Sequence, residues 1–182
     1  MDATEKAVLS VVKNSPDQTL QGRTLLQKAI YFLNEMLDLG IGYRPHYFGP
    51  FSEDVATTTA SLVARGALRE IVECLPTMDD QFDACRYTYQ LTELGDLMLK
   101  QEPHPGMETA CTEILGVTRD YTELAAAAKL HHIVVSHGDG LRYEIIMSEA
   151  RELGWKLDRV QVENAARLLL RLLGAGVRKT TV

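Results

Sequence analysis

Apolar residues recur along this chain at two spacings. Over residues 22–38, Leu25, Leu26, Ala29, Ile30, Phe32, Leu33, Met36 and Leu37 fall on one broad stripe, three to four positions apart. Arg23, Gln27, Lys28, Asn34, Glu35 and Asp38 fall mainly on the other side, so the pattern predicts an amphipathic helix with a polar edge. Ala7, Val8, Val11 and Val12 predict a helix over 3–13, and Val55, Thr59, Leu62 and Val63 predict one that Ser52 caps and Gly66 ends. Alternation marks the strands. Cys85, Tyr87, Tyr89 and Leu91 share one face of a strand, with Arg86, Thr88 and Gln90 on the other. Residues 68–74 and the aromatic stretch 43–48 read as two further strands. Thr92 then caps a helix running through Lys100.

The first half therefore reads helix, helix, strand, helix, strand, loop, strand, helix. A helix followed by a two-stranded hairpin is the order of a winged-helix-like unit, with the acidic loop 75–84 as the tip of the wing. Glu102-Pro103-His104-Pro105-Gly106 breaks the pattern. Beyond it, segments 107–116, 122–136, 141–153 and 158–174 each show helical spacing, and Asp158 with Gln161 forms a capping-box pattern. The expected fold class is α+β, mostly α. A winged-helix-like domain with a small sheet spans 1–102, and a helical segment spans 107–176, packed on the first or forming a dimer interface.

Charge changes the picture more than composition does. Residues 1–104 carry nine basic and fifteen acidic side chains, while residues 105–182 carry ten of each. The acidic excess lies in the half that would bind DNA, and nucleic acid repels such a surface. The helix in the recognition position offers Thr57, Thr58 and Ser61 behind two acids, with Arg65 at its end. That is poor equipment for reading base edges. The first residues lack a signal-peptide pattern, and no apolar run approaches the ~20 residues of a membrane span. The expected location is cytoplasmic, with no membrane contact.

Two stretches carry a resemblance. Arg23-Thr24-Leu25-Leu26-Gln27-Lys28-Ala29-Ile30-Tyr31-Phe32, followed by Tyr47-Phe48-Gly49-Pro50-Phe51-Ser52, resembles the bacterial YwgA-like family. The helix end from Leu62 to Gly66 and the strand exit Leu91-Thr92-Glu93-Leu94-Gly95 extend the match over residues 6–100. The matching positions are Arg23, Leu26, Gln27, Lys28, Tyr31, Tyr47, Gly49, Pro50 and Ser52. That family is similar to the Panacea domain, which is found in antitoxins of bacterial toxin–antitoxin pairs. The resemblance implies a regulatory, antitoxin-like protein that acts by protein–protein recognition rather than by catalysis, without a cofactor. The alternative from the fold is a winged-helix transcriptional regulator that binds DNA.

Candidate partner-binding residues are Arg23, Gln27, Lys28, Tyr31, His46, Tyr47 and Ser52. Arg23 and Gln27 lie one helical turn apart and face the same way. They and Lys28 either meet a partner or tie down the 46–52 turn, with Gln27 on loop carbonyls and Lys28 paired to Glu53 or Asp54. Arg167 and Arg171, one turn apart on the last helix, form an alternative basic stripe for an acidic partner or phosphate. That helix is apolar on most sides, which suits a bundle centre or a homodimer interface. His131, His132 and His137 lack a zinc-binding spacing, so no metal is expected. Cys74 and Cys85 flank the wing loop and read as buried packing cysteines, while a redox switch would need them close together and one thiol activated.

Overall fold

In the computed structural model, residues 1–75, 84–138 and 141–174 are described. The expected tip at 75–84 falls largely outside them, as do Asp139, Gly140 and the polar 178–182 tail. The described residues form eight α-helices and a three-stranded antiparallel sheet, an α+β and mostly α architecture. In chain order they are α1 (Ala3–Lys13), β1 (Thr19–Gln21), α2 (Arg23–Leu37), α3 (Glu53–Ala64), β2 (Leu68–Leu75), β3 (Ala84–Leu91), α4 (Glu93–Gln101), α5 (Met107–Val117), α6 (Tyr121–His137), α7 (Tyr143–Glu152) and α8 (Arg159–Leu172).

Local chemistry sets most element ends. Asp2 and Glu5 form a reciprocal capping box on α1, and Asp158 and Gln161 form the expected one on α8. Ser52 caps α3 by accepting from the Val55 N–H, and Thr92 caps α4 by accepting from Gly95. After α3, Gly66 adopts φ +75°. The N–H of Gly66 reaches the Val63 carbonyl and that of Ala67 reaches Leu62, which closes a Schellman motif. Gly95 answers a different need. A Cβ there would lie 2.4 Å from the Ala67 carbonyl oxygen, so only glycine lets α4 come so close to the start of β2.

The sheet order is β1-β3-β2. β1 is absent from the sequence reading, because three residues between Pro16 and Gly22 are too few to show alternation. The strand expected over 43–48 does not form. Instead a single bridge pairs Arg44 with Phe51, and the Gly49 N–H closes a turn onto the His46 carbonyl at 2.9 Å. Gly49 sits at φ +95°, a conformation that breaks an extended run.

One buried cluster runs through the chain. Val8, Val12, Ile30, Phe32 and Leu33 share it with Met107, Cys111, Ile114, Leu124 and Ile133, so α5 and α6 pack on α1 and α2. Helix α2 is buried continuously from Leu25 to Leu33. Gln27 and Lys28 therefore face the turn, the second of the two expected alternatives: the side opposite the apolar stripe is covered by the 43–52 segment and α6. The last helix also differs from the expectation. It buries one stripe, Val162, Ala165, Leu168 and Leu172, and leaves Leu170 exposed, so it lies on the flank of the bundle rather than at its centre.

Candidate functional site

Gln27 and Lys28 leave consecutive positions of α2 and reach consecutive parts of the 46–52 turn. The Gln27 side-chain amide donates from Nε2 to the Ser52 carbonyl at 2.9 Å, and its Oε1 accepts from the Ser52 N–H at 3.1 Å. Lys28 Nζ donates to the Pro50 carbonyl. Both side chains are buried, as is Ser52. Lys28 does not pair with Glu53 or Asp54, contrary to expectation: Arg44 takes the Glu53 carboxylate instead. Burial, and secondarily the Lys129 charge, lower Lys28 to about 7. A cation held by one carbonyl and no carboxylate loses its proton readily, because the buried charged form is poorly solvated.

The turn is clamped from the other side as well. Lys129 of α6 and Lys28 of α2 converge on Gly49, where a Cβ would lie 3.1 Å from Lys129 Cγ and 3.4 Å from Lys28 Cε. Trp155, in the connection between α7 and α8, donates from its indole N–H to the His46 carbonyl at 2.6 Å. The His132 ring meets Trp155 edge-on at 5.8 Å. Elements far apart in sequence thus hold the turn at Pro50, Ser52, Gly49 and His46.

The clamped turn displays what it does not bury. Tyr47 is 65% exposed and Phe48 52%, with the two rings edge to face at 4.8 Å. His46 is exposed and tilts against Phe51. Large aromatics in the open are costly to leave unpartnered, and aromatic residues are enriched at protein interfaces. Phe48 was not among the expected site residues, although it adjoins Tyr47 in the same aromatic stretch. Trp155 and Lys129 were also missed. A lone tryptophan in a short interhelical connection was the available signal for the first, and the second had none.

Arg23 sits apart from Lys28. Its guanidinium stacks on the Tyr87 ring at 3.4 Å, donates to the Tyr89 hydroxyl at 3.3 Å and pairs with Glu70 at 3.4 Å. Arg23 and Gln27 line one groove of about 450 Å³ between α2, α3 and the sheet, with Leu26, Val55, Thr59 and Val63. Tyr31 is buried, and its hydroxyl meets His131 Nδ1 at 2.8 Å. Burial, and then the neighbouring His132, lower His131 to about 4. So Arg23, Gln27, Lys28, Tyr31 and Ser52 are internal or groove-lining, whereas His46 and Tyr47 face outward.

Arg167 and Arg171 lie together at the rim of a cleft of about 280 Å³ between α6 and α8. Glu163, one turn before Arg167, pairs with Arg159. Among the described residues, no His, Cys, Asp and Glu side chains group as a metal site would require, and no helix is long and apolar enough to cross a membrane. Cys74 and Cys85 are bonded to each other as a disulfide, with Cys74 exposed and Cys85 half-buried. The expectation of buried packing cysteines is thereby corrected for this pair. The two sit opposite one another in the β2–β3 register, which carries them out along the hairpin beyond the core. Cys111 is buried, and burial raises its thiol to about 12. No protein-family model matches the chain, and no curated protein matches it significantly.

Proposed function

We propose that this chain is a non-enzymatic regulatory protein that acts by binding another protein, antitoxin-like in the sense the YwgA and Panacea resemblance implies. The observation that carries the reading is the clamped aromatic turn. The two stretches behind the resemblance meet each other directly, Gln27 on Ser52 and Lys28 on Pro50. Their buried residues are spent on fixing a turn whose exposed part is His46, Tyr47 and Phe48. A preorganised aromatic pair loses little conformational entropy on binding, which favours its use as an anchor.

In this reading, the element order α1-β1-α2-α3-β2-β3 with sheet order β1-β3-β2 is a winged-helix-like scaffold. It is turned to protein contact rather than to DNA. The open face of α3 carries Ala56, Thr57, Ala60 and Ser61, and its first turn carries Glu53 and Asp54. That surface repels phosphate and offers little to base edges. The location in this reading is cytoplasmic. The test is affinity capture with the full chain from its native host. A stoichiometric protein partner is expected with the wild type and not with Tyr47→Ala/Phe48→Ala. A gel shift at low salt that Arg65→Glu abolishes would favour the DNA reading instead.

A further inference from the structure

The hairpin carries a second kind of chemistry. On one face of β2 and β3, cross-strand pairs succeed one another outward from the core: Leu68 with Leu91, Glu70 with Tyr89, Val72 with Tyr87, and Cys74 with Cys85. The inner pairs hold Arg23, through the Tyr87 ring, the Tyr89 hydroxyl and the Glu70 carboxylate. The outermost pair is the disulfide, its Cα atoms 4.0 Å apart. Neither sulfur belongs to the hydrophobic core. β2 and β3 pair over eight residues each, and β1 pairs on the other side of β3. The sheet therefore has its own hydrogen bonds and core contacts with or without the covalent bond. Cys74 is exposed and Cys85 half-buried, and thiol–disulfide exchange depends on such access. Cys111 is the opposite case, being buried with its thiol held protonated.

We propose that Cys74 and Cys85 are a reversible redox site. It exchanges with a low-molecular-weight disulfide such as glutathione disulfide and sets how firmly the outer end of the β2–β3 hairpin is held. In the oxidising direction, the Cys74 thiolate attacks one sulfur of glutathione disulfide and displaces a glutathione thiolate. The Cys85 thiolate then attacks the Cys74 sulfur of the mixed disulfide and displaces the second glutathione thiolate. Two electrons pass from the chain to glutathione, and the two protons released by the cysteines end on the displaced thiolates. Oxidised, the bridge fixes the Cys74–Cys85 register and limits fraying at the adjoining Glu73–Arg86 pair. Reduced, the outer pairs open more often while the inner pairs and the core persist.

The experiment equilibrates the full-length chain in mixtures of reduced and oxidised glutathione. It is quenched in acid, free thiols are alkylated, and the species are counted by intact mass. Amide hydrogen exchange is then read on each state. The proposal expects a two-thiol transition at accessible glutathione ratios, Cys111 unreacted in the folded chain, and an unchanged far-ultraviolet circular dichroism spectrum. Exchange at Glu73 and Arg86 should be at least tenfold faster in the reduced chain, with Tyr89 changing less than twofold. The Cys74→Ser/Cys85→Ser variant should match the reduced chain at every glutathione ratio. A bridge that survives any excess of reduced glutathione would overturn the proposal by making it a permanent staple. So would loss of the fold on reduction or in the serine variant, or equal exchange at Glu73 and Arg86 in both states.

Discussion

The Gln27 side chain pairs with both backbone polar atoms of Ser52, giving to its carbonyl and taking from its N–H. One amide thereby does for the turn what a neighbouring strand would do. Ser52 is 1% exposed, so no solvent replaces Gln27 there. Gln27→Leu keeps the size and leaves the Ser52 N–H buried without a partner, while the Ser52 carbonyl keeps the Ala56 N–H of α3 and loses its second donor. The orphaned N–H costs about 1–3 kcal/mol and the lost bond to the carbonyl about 0.5–1.5, so a loss of about 2–4 kcal/mol in unfolding free energy is expected from urea titration. Gln27→Ala should cost at least as much, through the added cavity.

Lys28 gives the clamp a pH dependence. An unfolded chain keeps this lysine protonated to about 10.5, whereas the folded chain sheds the proton from about 7. Between those limits the unfolded state binds more protons, so stability rises with pH, by at most about 1.4 kcal/mol per unit. Lys28→Met removes the titration. Its unfolding free energy should be flatter than that of the wild type from about pH 7 to about pH 9.5, before the tyrosines begin to ionise.

His131 acts at the acid end. It is held neutral in the fold down to about 4, against an ordinary 6.5, chiefly by burial. The unfolded chain takes up a proton there as pH falls below 6.5, so stability is lost between about 6.5 and about 4 and falls no further from this group below that. His131→Gln removes the titratable ring. The difference between wild-type and variant unfolding free energies should shrink over that window, whatever the carboxylates contribute to both chains.

Trp155 is the chain's single tryptophan, 3% exposed and bonded to the turn at His46. Its fluorescence therefore reports on the clamp. Trp155→Phe keeps an aromatic ring and removes the indole donor, for an expected loss of about 1–2 kcal/mol. In the Gln27→Leu variant the indole emission should shift to longer wavelength at lower urea than the loss of helical circular dichroism, because the turn lets go first.

Helix spacing, caps and hairpin alternation were legible in the sequence because each is a local rule. Asp158 with Gln161, Ser52 before α3, and Tyr87 with Tyr89 on one strand face all stand as the pattern implies. What local rules do not encode is which polar residues a distant segment covers. Gln27 and Lys28 sit opposite an apolar stripe, a position that leaves open whether they meet a partner or the turn. Only the return of the 43–52 segment and of α6, a hundred residues on, turns that side inward. The same limit hid Trp155, whose partner His46 is 109 positions away, and β1, whose three residues make sense only beside β3.

The central claim is that buried Gln27 and Lys28 hold the turn and exposed Tyr47 and Phe48 use it. The direct measurement sets Tyr47→Ala/Phe48→Ala beside the wild type in both urea unfolding and affinity capture from the native host. The surface pair is expected to change unfolding free energy by no more than about 0.5 kcal/mol per residue. It is expected to weaken capture of the stoichiometric partner at least tenfold, about 1.4 kcal/mol. Undiminished capture by a stable Tyr47→Ala/Phe48→Ala chain would contradict the account.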